Sequence, residues 1–164
     1  MSKVKFNPKI LYPKIKGTKS NPLKGKDILV RETLVGVKAD AYEKGLDDHL
    51  INMLKHTTGI KIVAKKVEVP AVAKVRNHYS EHVHKKFYPE LESYITRGNF
   101  GLYVFKGENA VKKVRQACMQ LRARYAPGAK TENLLHSSDG VFSAQKEIRN
   151  WFQTPPYPYV RKQK

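Results

Sequence analysis

The chain has 164 residues, about the size of one ordinary domain, and its 40% apolar content is enough for a single modest core. No apolar run approaches the ~20 residues that a membrane-spanning helix needs. The one cysteine, Cys118, excludes an internal disulfide framework and a Cys-rich zinc site, and fits a reducing compartment. Lys and Arg number 32 against 14 Asp and Glu, and the resulting +18 points to an anionic partner: RNA, DNA, an anionic membrane face or an acidic protein lattice.

The charge is unevenly spread. Residues 1–30 carry eight lysines and a single acid, Asp27. Residues 153–164 carry Arg161, Lys162 and Lys164 and no acid, so +10 of the +18 lies in these two tails. Pro8, Pro13 and Pro22, with Gly17 and Gly25, forbid a long helix near the N-terminus, while Phe6, Ile10, Leu11, Tyr12 and Ile15 are spaced among the lysines. That mixture predicts an extended basic arm over 1–30, with apolar anchors between phosphate or carboxylate contacts. A mitochondrial transit peptide fits poorly, because no arginine precedes Arg31 and prolines are many. Pro155, Pro156 and Pro158 give residues 153–164 an extended, polyproline-like path.

Between the tails the pattern is regular. Residues 31–38, RETLVGVK, are β-branched and apolar enough for a buried strand. Over 42–57, Leu46, Leu50, Met53 and Leu54 mark one face of a helix that Gly59 ends. Residues 60–69 predict a second strand, and Pro70 opens a helical stretch to about Tyr79. A short helix follows over 89–98, then a strand over 99–105 and a helix over 108–121. A Pro-Gly loop leads to ENLLHSSDGVFSAQKEI, residues 132–148, which sets His136 where a strand-like pair ends and a helix begins. Glu147 stands about three turns further on, and the last helix covers 143–152. Strands alternating with helices predict a two-layer sheet-and-helix domain over 31–152.

LLHSSDGVFSAQKEIRNWF resembles the histidine segment of nucleoside diphosphate kinases, N-x-x-H-G-S-D-S followed by S-A-x-x-E-I-x-x-W-F. RETLVGVKADA is similar to the family's E-R-T-x-x-x-I-K-P-D-G start, and HYSEHVHKKFYPELESYITRG to its H-Y-x-x-x-x-x-x-P-F-F-x-x-L-x-x-Y-M-x-S-G. VFKGENAVKKVRQ matches W-x-G-x-N-x-V-x-x-x-R. The four matches fall in order over 31–152, and they imply an α+β fold, the ferredoxin-like antiparallel sheet sandwich of that family.

The resemblance also implies a site. His136 would take the γ-phosphoryl group of a nucleoside triphosphate and pass it to a diphosphate, a role that suits an imidazole nucleophilic near pH 7. Glu147 would orient the other ring nitrogen, with Ser138 bonded to that carboxylate. Lys38, Tyr79 and Arg115 would hold the phosphates, Arg122 would serve as a second phosphate arginine, Phe87 would stack on the base and Asn133 would reach the ribose. Mg²⁺ would arrive with the nucleotide, held by phosphates more than by the protein.

The sequence departs from the family at several points. Only six residues separate Arg115 from Arg122, where most members have a longer loop that supports a hexamer. Ala39, Ala41 and Ser137 stand for Pro, Gly and Gly, and Lys86 for a proline. The shortened loop leads to the expectation of a monomer or dimer in isolation. The leading reading at this level is a kinase-fold subunit that keeps its nucleotide site and is anchored by basic arms in a ribosome or mitochondrial ribosome, in contact with ribosomal RNA. An active nucleoside diphosphate kinase and a microtubule-associated protein of the cilium are the alternatives. The corresponding locations are a mitochondrial or cytoplasmic ribonucleoprotein, or the cilium.

Overall fold

The computed structural model describes residues 30–152. The predicted basic arm, apart from Val30, and the tail over 153–164 lie outside the described residues. The chain runs β1 (Val30–Val37), α1 (Ala39–Glu43), α2 (Asp47–Thr58), β2 (Lys61–Glu68), α3 (Val72–His78), α4 (Tyr88–Thr96), β3 (Phe100–Glu108), α5 (Ala110–Tyr125), β4 (Leu135–Ser137) and α6 (Val141–Phe152). The four strands form one sheet in the order β2-β3-β1-β4, with every neighbouring pair antiparallel. This is the α+β, ferredoxin-like sandwich expected from the sequence. No helix among the described residues is long and apolar enough to cross a membrane.

β1 and β3 are buried on both faces, so one layer of helices cannot cover the sheet. Val35, Val37, Tyr103 and Phe105 face α2 and α5, in a core with Leu50, Leu54, Val114 and Leu121. Leu34, Phe100, Leu102 and Val104 face the opposite way, toward α3, α4 and α6, with Ile95, Ile148 and Trp151. The expected two-layer arrangement is therefore corrected to a sheet with helices on both sides. The continuous apolar runs of the central strands are the physical reason.

The helix expected over 42–57 is two helices, α1 and α2. Gly45, at φ +63°, turns the chain between them, a conformation that costs a residue with a Cβ but not glycine. The apolar face read from the sequence holds within α2, where Leu50 and Leu54 are fully buried and Met53 packs against the same cluster. α5 runs on to Tyr125 rather than ending near 121, and takes up the shortened connection as continuous helix.

Gly36 fixes how β4 meets the rest of the sheet. It pairs with His136 across β1 and β4. A Cβ at Gly36 would fall 2.6 Å from Cζ of Phe100 and 3.2 Å from Cβ of His136. The Phe100 ring cannot swing aside, since it is fully buried and packed edge-on to Trp151 at 5.2 Å between ring centroids. Gly36→Ala should therefore destabilise the fold by about 1–3 kcal/mol through overpacking, read as a lower urea midpoint at unchanged slope.

Candidate active site

Three elements build the site around His136. β4 carries the histidine at the middle of a three-residue edge strand, α6 brings Glu147 from the same face, and α3 ends with His78 behind the imidazole. His136 Nε2 lies 3.1 Å from Glu147 Oε2, and the Ser138 hydroxyl donates to that same oxygen at 2.5 Å. The ionised carboxylate only accepts, so Nε2 carries the proton and Nδ1 keeps its lone pair. Ser138 is itself anchored to β1, accepting from Leu34 N at 3.2 Å through its hydroxyl. Burial alone would raise the Glu147 carboxyl, but the charge and hydrogen bond of His136, then the neighbouring His78 and the Ser138 hydroxyl, outweigh it and hold it below the usual carboxylate range.

A cluster of cations forms nearby, with Arg122 acting on Lys38 and Arg115 on Arg122. Lys38, at the junction of β1 and α1, is buried, and its ammonium donates to Asn133 Oδ1 at 2.6 Å and to Thr131 O at 3.1 Å. Burial, followed by the nearby Arg122 charge, lowers its pKa to about 7. Arg115 and Arg122 fall seven positions apart on α5 and so on one face of the helix. Burial first, and the Arg115 charge after it, lower the pKa of Arg122, so the two guanidinium groups repel each other. An anion placed among Lys38, Arg115 and Arg122 would relieve that repulsion.

The structure brings most of the sequence-derived site together. Tyr79 follows α3, with its ring 6.1 Å from that of His136; its hydroxyl is buried without a hydrogen-bond partner, and burial first of all keeps it protonated. Phe87 is 45% exposed, with the His82 ring at 5.7 Å between centroids and the Lys85 ammonium 5.9 Å from its ring centroid. Arg122 is less free than its assignment implied. Its Nε and Nη2 donate to the Leu135 carbonyl at 2.8 and 2.5 Å, tying α5 to β4 beside the histidine. Ser137, where glycine was expected, is buried on β4 against the Cys118 thiol, whose pKa burial pushes up to about 12.

Three positioning residues were not assigned from the sequence. Asp40 accepts from Leu134 N at 3.1 Å and from the Tyr94 hydroxyl, holding Leu134 at φ +72° just before the histidine strand. Arg97 forks onto Glu43 at 2.9 Å through two nitrogens and reaches Glu132 at 2.6 Å, fastening the loop that carries Asn133. His78 stands edge-on to His136, with 4.4 Å between ring centroids. The His-Tyr pair of the third motif was the only signal for His78. Asp40 falls in the matched K-P-D-G motif without a role being read from it, and the Arg97 contacts have no local sequence signature.

His78, His136 and Glu147 offer ligand-type atoms within 4.8 Å of one another. They do not suit a metal ion: the Trp151 indole donates to His78 Nδ1 at 2.9 Å, so the remaining nitrogen, Nε2, carries a proton and has no lone pair to give.

A sequence profile of the nucleoside diphosphate kinase family matches residues 31–156. Among curated relatives, the nucleoside diphosphate kinase of Caldanaerobacter subterraneus is 34% identical over 134 residues, covering 76% of this chain and 96% of the relative. That of a Nocardioides species is 36% identical over 129 residues, covering 73% and 95%. The solved Aquifex aeolicus nucleoside diphosphate kinase superposes with a TM-score of 0.65 at 30% identity, covering 78% of this chain and 99% of that one. The Encephalitozoon cuniculi enzyme, at 22% identity and a TM-score of 0.67, supports the fold alone. Fold and site describe an α+β domain built around a part-buried histidine–glutamate pair. The chain belongs to the nucleoside diphosphate kinase family.

The Lys38 environment makes a calorimetric prediction. Burial, followed by the Arg122 charge, lowers the Lys38 pKa to about 7, and a bound polyphosphate favours the charged form. Nucleoside diphosphate binding at about pH 8 should take up a proton, visible as a buffer-dependent binding enthalpy that vanishes in Lys38→Met.

Proposed function

We propose that the chain is a nucleoside diphosphate kinase that carries the transferring phosphoryl group on His136 Nδ1. The observation that carries this reading is the Glu147–His136 Nε2 bond, which leaves Nδ1 as the one nucleophilic nitrogen of the ring. The Nδ1 lone pair attacks the γ-phosphorus of a nucleoside triphosphate, and the bond from that phosphorus to the bridging oxygen breaks, releasing the diphosphate. The positive charge left on the imidazole is shared with Glu147, which Ser138 holds in place. A terminal oxygen of an acceptor diphosphate then takes the phosphoryl group and restores the free ring.

Lys38, Arg115 and Arg122 supply fixed positive charge where negative charge builds up in transfer, and the Tyr79 hydroxyl is an unspent donor beside them. Asn133, bonded to Lys38, would reach the sugar, and the exposed Phe87 ring would stack on the base. The cleft offers cations and hydroxyls rather than a carboxylate cage, since Glu147 is engaged by His136 and Ser138. That donor set fits Mg²⁺ delivered on the phosphates, where it would neutralise charge on the β- and γ-oxygens.

Incubation with γ-labelled ATP should give an acid-labile, base-stable label on the protein, absent in His136→Ala. Glu147→Gln should slow labelling by about 10²-fold or more, the scale of losing one preorganised electrostatic partner. A folded, nucleotide-binding wild type that stays unlabelled would overturn the reading.

A second reading concerns location, and the charge of the tails favours it. With +10 in 42 tail residues, the arms suit attachment to a polyanion, and RNA in a ribonucleoprotein is our proposal for it. If the arms neutralise about six to ten phosphates, affinity should fall by roughly three orders of magnitude or more between 50 and 200 mM salt. Removing residues 1–28 and 153–164 should abolish RNA co-sedimentation and leave the label on His136 unchanged. Co-sedimentation that persists without the tails would contradict the RNA proposal.

A further inference from the structure

His78 is a buried imidazole whose two nitrogens lie in unlike surroundings. Nδ1 accepts from the Trp151 indole at 2.9 Å. Nε2 is buried and has no hydrogen-bond partner. An indole N–H can only donate, so the acceptor nitrogen must be unprotonated and the single ring proton sits on Nε2. A buried donor with no acceptor is costly, and native proteins keep few of them. This one lies beside the His136 ring, whose centroid is 4.4 Å away at an interplanar angle of 73°.

We propose that His78 is a positioning residue for phosphotransfer: Trp151 locks it as the neutral Nε2–H tautomer, and in that form it braces the His136 ring and turns the positive end of an N–H dipole toward the reacting site. The inference rests on the kinase reading above and deepens it. The chain's single tryptophan thereby gains a role beyond packing.

Two consequences follow for the reaction. The fixed N–H dipole sets positive potential beside the ring that receives the phosphoryl group. The same dipole favours the anionic phosphoryl group once it is attached. The edge-on ring also limits rotation of the imidazole away from Glu147, keeping Nε2 on the carboxylate and Nδ1 outward.

For this to work, His78 must stay uncharged. Adding a proton at Nδ1 would set two N–H groups head to head against Trp151. Burial first, and the neighbouring His136 next, lower the His78 pKa to about 3; Lys146 and Lys38 act in the same direction, and Glu147 opposes them. Tyr79, whose ring packs against His78 at 4.4 Å, stays protonated because it is buried. The groups around His78 on α3, β4, α6 and the β1–α1 junction together hold it neutral.

The test has a spectroscopic arm and a kinetic arm. Long-range proton–nitrogen NMR of the full-length wild type should show His78 with its proton on Nε2 and no titration between pH 5 and 8. A proton on Nδ1, or a titration in that range, would overturn the inference whatever the enzyme does. In rapid-mixing experiments with γ-labelled ATP, His78→Phe keeps a ring but removes the donor. It should slow phosphorylation of His136 by about tenfold, the worth of one good polar interaction, with little change in nucleotide KM. His78→Gln, which offers an acceptor and a donor on one planar group, should recover most of the rate. A folded His78→Phe that labels at the wild-type rate would sink the proposal while leaving the kinase reading intact, whereas a wild type that never labels would sink the kinase reading. Should His78→Phe not fold, the wild-type spectrum and the Gln variant decide.

Discussion

The bond between the Glu147 carboxylate and His136 Nε2 is the constraint on which the rest of the site depends. It fixes the tautomer, and the tautomer decides which nitrogen can act. It is held from two sides, by the Ser138 hydroxyl on the shared oxygen and by Leu34 N on that hydroxyl. β1 therefore reaches the His136 ring, at Nε2, through a chain of hydrogen bonds rather than through a flexible loop. Buried networks of this kind hold one geometry when every member is satisfied.

The central strand also organises the cation side. Lys38 follows β1 directly, and its ammonium binds the loop that leads into β4. Asp40, two residues on, holds the left-handed turn at Leu134. A single stretch, 33–40, thus bears on the His136 network, the Lys38 ammonium and the turn at Leu134 together. Gly36, in the same stretch, lets the strands close up around His136 and Phe100.

Element types and the His136–Glu147 contact were legible in the sequence, because each rests on local pattern. Leu50, Met53 and Leu54 repeat at helical spacing, and the histidine segment matches a motif with few free positions. What was not legible depends on tertiary contact. Nothing near Arg97 in sequence signals Glu43 and Glu132, which lie 54 and 35 positions away. The orientation of Arg122 toward the Leu135 carbonyl follows from α5 continuing as helix through the shortened connection, and propensity near 121 did not fix that end. The helix read over 42–57 failed at Gly45, where one residue of positive φ outweighed a consistent apolar stripe. The cover on both sheet faces was implicit in the apolar runs of β1 and β3, but it takes the strand order to see it.

The most direct measurement of the central claim is the position of the phosphoryl group on the His136 ring, read by nitrogen and phosphorus NMR of the protein phosphorylated by ATP. The Glu147 bond requires phosphorus on Nδ1, with Nε2 still protonated and hydrogen-bonded. Phosphorus on Nε2 would mean that the carboxylate does not hold the ring as described, and would contradict the account at its base.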